Sequence, residues 1–232
     1  DNRIGKGVQK EAMQEGSRMH RKIQGRMGIE YRAEIPLKLE VPQEQYVLAL
    51  DGRADGIITS EEGVTIDEIK CMYTDVTRFE EPIFVHKAQA MCYAYIYALQ
   101  NGLDQISVQM TYCDLDTEEI RRFQESFSFF WLERWFQDMI EAYRKWTDFQ
   151  FAWRKIRQAS IQTLEFPFPY RDGQRKLVGD VYRTINRKKI LFIQAPTGTG
   201  KTIFKLFTAI RAVGETIGDK IFCITSNKLT RM

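Results

Sequence analysis

The segment APTGTGKT, from Ala195 to Thr202, constrains the fold of this 232-residue chain more than any other feature. An apolar run, ILFIQ, precedes it and a helical pattern follows. A glycine-rich turn between a strand and a helix is typical of a phosphate-binding loop, with Gly198 and Gly200 forming the turn. Lys201 would then reach the β- and γ-phosphates, and Thr202 would bind Mg²⁺. A glycine turn without a ligand is the alternative.

The residues around this loop predict a separate βαβ unit. Two prolines and a glycine fall within residues 165–173, EFPFPYRDG, which is typical of a domain boundary. We therefore expect one domain over 1–160 and a second over 161–232. The predicted elements of the second are a helix at 173–186, a strand at 189–194, a helix at 201–213 and a strand at 220–226.

The first 160 residues alternate between helical and extended patterns, which predicts an α/β domain. A long helix over 117–160 begins in this interpretation at a cap, Asp116 or Thr117, and carries aromatic residues that we expect in the core. The aromatic stripe comprises Phe127, Phe130, Trp131, Trp135, Met139 and Trp146. The other predicted helices cover 6–27 and 84–100, and the predicted strands cover 31–40, 45–58, 64–72 and 105–113, with Pro42 in the first turn.

The strand 64–72, VTIDEIKCM, carries three charged residues within an apolar run. Side chains alternate along a strand, so Glu68 and Lys70 share one face and Asp67 takes the other. Burying such charges without partners costs several kcal/mol. A divalent metal would satisfy the carboxylate, and an exposed edge strand would also remove the cost.

Asp55 lies on the preceding predicted strand, within LDGRADGII. Pairing of the two strands would bring Asp55 close to Glu68, and hard carboxylate oxygens select Mg²⁺ or Mn²⁺. Such an ion holds a phosphate and lowers the pKa of bound water, while Lys70 would orient that water or stabilise the developing charge. Asp51 and Asp67 are rival acids close to this pair.

Further polar residues fall on two predicted helices. Gln89 and Tyr93 are four residues apart and share a helix face, and His86 precedes Gln89 on that face as a candidate phosphate contact. Upstream, Gly16 and His20 lie in the first helix. An exposed surface position is the alternative for both histidines.

Taken in order, these motifs resemble the RecB-like branch of the PD-(D/E)xK nucleases. The resemblance covers residues 10–100 well and implies a restriction-endonuclease-like core, with a mixed sheet flanked by helices. It implies that metal is bound by His20, Asp55, Glu68 and the carbonyl of Ile69. It also implies that Lys70 is catalytic, together with Asp55 and Glu68, and that substrate or water is positioned by Gln89 and Tyr93.

The last seventy or so residues resemble the start of a DinG/XPD-type superfamily 2 helicase, a partial RecA-like P-loop unit. The matching segments are FPFPYRDGQ, QAPTGTGKT and FCITSNKLTR. The resemblance implies that Tyr170 and Gln174 contact adenine, with help from Arg171. Neither a Walker B acid nor a second lobe is present in this sequence, so we expect only weak ATP binding and poor hydrolysis.

Charge and cysteine positions bear on partners and compartment. Residues 144–189 hold twelve bases and four acids, which suits a DNA backbone, although a solvated polar linker is the alternative. Cys71, Cys92, Cys113 and Cys223 contain no CxxC pair, so we expect buried free thiols at the first three and no iron–sulfur cluster. Without a long apolar run or a signal sequence, the expected protein is soluble and cytoplasmic, with no membrane partner.

The sequence therefore predicts a Mg²⁺- or Mn²⁺-dependent DNA nuclease, with exonuclease as the favoured mode, attached to the beginning of a helicase ATPase. A catalytically inactive DNA-binding module is the first alternative. An ATP-driven remodeller whose N-terminal part docks a protein is the second.

Overall fold

The computed structural model describes residues 4–196 and 198–224, with side chains described from residue 14 on. Two compact units meet in sequence between Tyr143 and Arg144, and the predicted boundary after residue 160 stays a prediction. No helix of the described residues is long and apolar enough to cross a membrane. The helices are α1 (Ile4–Gln24), α2 (Phe84–Asn101), α3 (Phe129–Gln162), α4 (Gln174–Asn186) and α5 (Lys201–Gly214), and the strands are β1 (Tyr31–Pro42), β2 (Val47–Ser60), β3 (Gly63–Met72), β4 (Gln105–Asp114) and β5 (Ile120–Ser128).

The first unit is built on a five-stranded mixed sheet in the order β1-β2-β3-β4-β5. β3 and β4 run parallel, and the other neighbours are antiparallel. The predicted α/β class, with a mixed sheet and flanking helices, is confirmed. β1 is an edge strand, which accommodates Pro36 and Pro42 because an edge position needs fewer backbone donors. Pro42 pairs with Val47 at the end of the ladder, so the turn lies beyond it and not at Pro42 as predicted.

Helices cover the two faces of this sheet. On one face, Met19 and Ile23 of α1 pack on Ile69 and Cys113. On the other face, α2 and the first turns of α3 enclose the larger core, because α2 joins two parallel strands and must cross the sheet. The buried residues of these helices include Ala90, Met91, Ala94, Ile96, Leu132 and Phe136. β3 is thus central and covered on both faces, which excludes the exposed edge strand considered for its charges.

The predicted helix over 117–160 is wrong at its N-terminal end. Residues 120–128 form β5, which pairs antiparallel with β4 from Cys113↔Ile120 to Gln105↔Ser128. The charged sequence IRRFQESFS favours a helix by propensity, but the unpaired edge of β4 offers a complete ladder of backbone hydrogen bonds. Asp116 and Thr117 therefore lie in the turn before β5, where the Asp114 carboxylate accepts from the Asp116 N–H.

The aromatic stripe is only partly in the core. Trp135 and Met139 pack against it, and Phe127 is buried from β5. By contrast, Phe130, Trp131 and Trp146 are 73%, 48% and 57% exposed. Helical spacing places these residues on the helix but cannot say which of its turns another element covers.

In the second unit, α4 and α5 confirm the predicted helices, but the predicted strands at 189–194 and 220–226 are wrong where described. Residues 189–196 and 220–224 are irregular, and 225–226 lie outside the described residues. Ile190, Phe192 and Ile224 are 85%, 92% and 95% exposed. A β-branched, apolar run forms a strand only when a neighbour completes its ladder, and none of the described residues does so.

Candidate functional site

Two of the three charged residues of β3, Glu68 and Lys70, form a hydrogen-bonded cluster with Gln89 on the α2 side of the sheet. Glu68 is 1% exposed. The Lys70 ammonium donates to Glu68 Oε1 at 2.7 Å and to Gln89 Oε1 on α2 at 3.1 Å. Glu68 Oε2 is buried and has no hydrogen-bond partner. An unpartnered buried carboxylate oxygen is costly, so this atom is suited to a cation or an ordered water.

Asp67 lies on the opposite face of β3, as strand alternation predicts. It is fully buried, and its carboxylate accepts from Thr111 at 2.6 Å, from Gln109 at 3.0 Å and from the Tyr31 hydroxyl at 3.2 Å. Burial, followed by the charge of Asp67, raises the pKa of Tyr31. Three donors satisfy Asp67 inside the protein, which is the arrangement of a structural buried acid.

Asp55 joins β2 to β3 beyond the end of their ladder. The last backbone pair is Gly56↔Asp67. Just past it, the Ile69 N–H donates to Asp55 Oδ2 at 2.8 Å, so a side chain takes the place of a backbone acceptor. His20 Nδ1 of α1 lies 3.8 Å from Asp55 Oδ1, and Gln24 donates to the Asp55 carbonyl at 2.9 Å. The end of α1 and the two strands therefore meet at Asp55.

Gln89 and Tyr93 share a face of α2, and the Gln89 amide donates to the Tyr93 hydroxyl at 3.3 Å. The Tyr93 ring lies on Gly52 of β2, where an added Cβ would be 2.7 Å from ring atom Cε1. Glycine is therefore required at 52 for this close approach. At Gly16, in contrast, an added Cβ would meet nothing within 4 Å, so no contact there requires glycine.

The two carboxylates of the cluster are poor anions in this environment. Burial, and then the charge of Asp55, raise the pKa of Glu68 from its ordinary 4.5 to about 7. Burial also raises the pKa of Asp55, against the opposing effects of the Ile69 N–H and His20. Neighbouring carboxylates with raised pKa values in a partly open site are common at functional positions. A bound cation would offset the cost of burying their negative charges close together.

The predicted metal ligands are brought together in part. Asp55 and Glu68 interact electrostatically, and His20 lies beside Asp55. Among the described residues, however, no group of three or more His, Cys, Asp or Glu side chains is arranged to hold a metal ion. The unpartnered Oε2 of Glu68 and the raised pKa values of Glu68 and Asp55 fit a divalent cation. The side chains that the resemblance implies as ligands are all described, however, and do not form a group of three around one point. Metal binding therefore stays a prediction.

His86 lies in the first turn of α2, one turn before Gln89. Its Nδ1 lies 3.4 Å from the hydroxyl of Tyr112, which in turn accepts from the Ile83 N–H at 2.9 Å. Burial, and then the charge of Lys70, lower the pKa of His86. A neutral imidazole near Lys70 is consistent with a polar contact to substrate and equally with a structural link to Tyr112.

In the second unit, Gly200 caps α5 and the described part of the loop folds onto itself. Gly198 and Gly200 have φ of 84° and 71°, as the glycine turn requires. The Lys201 ammonium donates to the carbonyls of Ala195 and Pro196 at 2.6 and 2.7 Å. The Thr202 side chain is exposed in the first turn of α5. The loop residue Thr197 lies outside the described residues.

The two predicted adenine contacts, Gln174 and Tyr170, lie in different places. Gln174 is 5% exposed, and its amide bridges the Arg171 N–H at 3.0 Å and the Thr199 carbonyl at 3.3 Å, next to the loop. Tyr170 stacks on Phe166 with ring centroids 4.6 Å apart and lines a cleft of about 590 Å³ together with residues of α4 and α5. Gln174 is thus built into the loop, while Tyr170 faces the cleft.

Several residues around the cluster of Asp55, Glu68, Lys70 and Gln89 were not identified from the sequence. Gln24 holds the Asp55 carbonyl, and Tyr31, Gln109 and Thr111 hold Asp67. Polar residues at inward positions of β4 were a visible signal, because Gln109 and Thr111 alternate within an otherwise apolar strand. Of the thiols, Cys113 is buried, but Cys71 and Cys92 are only partly so.

No family model and no curated protein sequence matches this chain. A solved structure described as "Crystal structure of SSO0001" aligns with 18% sequence identity and a TM-score of 0.38. The alignment covers 55% of this chain and 58% of that one, so the chain spans little more than half of its length. A likeness at this level carries no argument about activity.

Proposed function

We propose that this chain is a metal-dependent nuclease that hydrolyses phosphodiester bonds in DNA, followed by a nucleotide-binding unit of the helicase type. One observation carries the first part. Lys70 is held between Glu68 and Gln89, while the second oxygen of Glu68 is buried without a partner. A carboxylate with one unpartnered oxygen, next to an ammonium group that is held in place, is expected where a cation and a phosphate bind together.

Each residue of the cluster has a distinct role in this proposal. Asp55 and Glu68 would hold Mg²⁺ or Mn²⁺, with His20 and the Ile69 carbonyl as further ligands. When bound, the ion would polarise the phosphate and make a bound water more acidic. Lys70 would stabilise negative charge on the phosphate oxygens, since Glu68 and Gln89 fix its ammonium. The hydrogen bond between Gln89 and Tyr93 would position the substrate or the attacking water.

The nucleotide-binding part rests on Lys201 and on the glycine turn. The Lys201 ammonium donates to two loop carbonyls, which places it in the loop where phosphate oxygens would be its acceptors. Gln174, held at the loop, would contribute to recognition of the base with Tyr170.

A specific observation favours a second candidate, a DNA-binding module without catalytic activity. In the part of the chain that the structure describes, no three potential ligand side chains form a metal-binding group. A domain that only binds DNA could keep the buried polar cluster for its shape alone. The two candidates differ in whether an ion-dependent cut is made.

The experiment compares the rival acids of β2. The chain is incubated with end-labelled single- and double-stranded DNA in Mn²⁺, in Mg²⁺ and in EDTA. Asp55→Asn should remove ion-dependent cutting, and Asp51→Asn should retain it, because the Asp51 side chain is 65% exposed and pairs with Lys38 at 3.2 Å. If Asp51→Asn alone is inactive, the assigned acid is wrong. If the unaltered chain binds DNA but never cuts it, the DNA-binding module takes the place of the nuclease.

A further inference from the structure

The second half of α3 presents an apolar stripe to solvent. Trp146, Phe149, Trp153 and Ile156 are 57%, 62%, 53% and 61% exposed. They are separated by three, four and three residues, so they lie along one face of the helix. With a rise of about 1.5 Å per residue, the two indoles are roughly 10 Å apart along the axis. A continuous aromatic face of this size is unusual on a surface without a binding role.

The same stretch of helix is basic. Residues 144–162 contain five bases and one acid, Asp148. The Lys145 ammonium lies 5.6 Å from the centroid of the Trp146 ring. Arg154 and Arg157 both approach one carboxylate, Asp219, at 3.4 and 3.5 Å, so a single acid offsets two guanidinium groups. Arg144 pairs with Asp148 at 3.5 Å. With five bases against one acid, the stretch carries a net positive charge beside the aromatic face.

The aromatic stripe and the positive charge of α3 together favour one class of partner over another. A second copy of the chain would bring two basic helices together, and their repulsion opposes pairing through this face. Single-stranded nucleic acid supplies both complementary features, because its bases stack on aromatic rings and its phosphates attract Lys and Arg. An extended strand also exposes its bases, which a duplex keeps stacked inside.

We propose that this face of α3 (Trp146, Phe149, Trp153 and Ile156), together with the neighbouring bases Lys145 and Arg154, forms an aromatic–basic surface that binds single-stranded DNA by base stacking. The inference rests on the proposed function for its choice of DNA, but it requires neither metal nor cleavage. Trp146 and Trp153 provide the stacking planes, and Lys145 and Arg154 contact phosphates.

The test measures binding of the whole chain to a labelled oligothymidylate in EDTA, where no cutting takes place. Replacing both indoles, Trp146→Leu with Trp153→Leu, should weaken binding by about thirtyfold or more, because each of the two base–aromatic stacks contributes ~1–3 kcal/mol. The matched control is Phe130→Leu, which removes a 73% exposed ring from the same helix outside the surface and should leave affinity unchanged. Circular dichroism of each variant verifies folding.

Two further measurements separate stacking from simple apolar contact. Trp153→Phe keeps an aromatic plane and should bind far better than Trp153→Leu. Lys145→Gln with Arg154→Gln should flatten the salt dependence, by about 0.7 in the logarithmic slope for each phosphate that is no longer neutralised. The proposal would be overturned if the double Leu variant bound DNA as tightly as the wild type, or if Phe130→Leu lost as much affinity. It would also be overturned if the double Leu variant changed its oligomeric mass and kept its DNA affinity. A chain that binds in EDTA but never cuts with Mn²⁺ would support this surface and refute the nuclease.

Discussion

The backbone N–H of Ile69 donates to the carboxylate of Asp55 at 2.8 Å, immediately beyond the last pair of the β2–β3 ladder. This bond fixes the acid of one strand to the backbone between Glu68 and Lys70 of the next. It also brings the half-buried Asp55 near the buried Glu68, because the Asp55 side chain replaces a backbone acceptor of the ladder through one oxygen and leaves the other oxygen available to a ligand. His20 Nδ1 lies 3.8 Å from that oxygen.

Gly52→Ala should destabilise the first unit, since its new methyl group would lie 2.7 Å from the Tyr93 ring. Overpacking of this kind costs about 1–3 kcal/mol in the free energy of unfolding, measured by urea denaturation. The control is Gly16→Ala, which meets no neighbour and should stabilise α1 by up to about 1 kcal/mol. If Tyr93→Ala does not relieve part of the Gly52→Ala loss in the double variant, the contact between the two residues is not its cause.

Asp67→Asn should reduce stability while leaving the cutting rate of the folded protein nearly unchanged. Its carboxylate accepts three hydrogen bonds on the face away from Lys70, and an amide cannot accept all of them. We expect a loss of about 1–3 kcal/mol in the free energy of unfolding. Cutting is then assayed well below the melting temperature. An Asp67→Asn protein that is folded yet inactive, together with a Glu68→Ala protein that still cuts, would show that Asp67 is the essential acid in place of Glu68.

Without divalent ions, Glu68 should make the protein less stable as pH rises. Its pKa is about 7 when folded and about 4.5 when unfolded, so between these values the folded state binds more protons. The stabilisation is complete below pH 4.5 and lost as pH rises through 7, by up to about 3 kcal/mol. Urea denaturation in EDTA should show this slope in the wild type relative to Glu68→Gln. Parallel pH profiles of the two proteins would contradict it.

The sequence predicted most of the nuclease-like cluster because its evidence is local. Strand alternation separates Asp67 from Glu68 and Lys70, and helical spacing places Gln89 and Tyr93 on one face. The reason for Gly52 was not visible, since it depends on the Tyr93 ring arriving from another element. Gln24 was missed for the same reason: its bond to the Asp55 carbonyl joins residues 31 positions apart.

The errors occurred where tertiary contacts override local preference. β5 has a sequence suited to a helix, but the free edge of β4 makes it a strand. Residues 189–194 have a sequence suited to a strand, but none of the described residues pairs with them. The stripe on α3 has helical periodicity, yet periodicity alone does not say whether Trp146 is covered.

Lys201→Ala should abolish binding of a fluorescent ATP analogue and leave DNA cutting unchanged, because the loop and the carboxylate cluster belong to separate units. Lys205→Ala is the matched control, as it removes an exposed lysine one turn further along α5 and should bind nucleotide normally. Loss of nucleotide binding in both variants would indicate a general charge effect. Loss of cutting in Lys201→Ala would show that the two activities are coupled.

The most direct test of the proposed nuclease is a comparison of Lys70→Ala with Glu68→Ala at saturating Mn²⁺, together with a Mn²⁺ titration. Lys70→Ala should lose cutting by about 10²- to 10⁴-fold, the effect expected for one catalytic group, while still binding the ion. Glu68→Ala should weaken ion binding and cutting together. Lys38→Ala, which removes an exposed lysine paired with Asp51, should behave as the wild type. Normal cutting by both Lys70→Ala and Glu68→Ala would contradict the assignment of this cluster as a nuclease site.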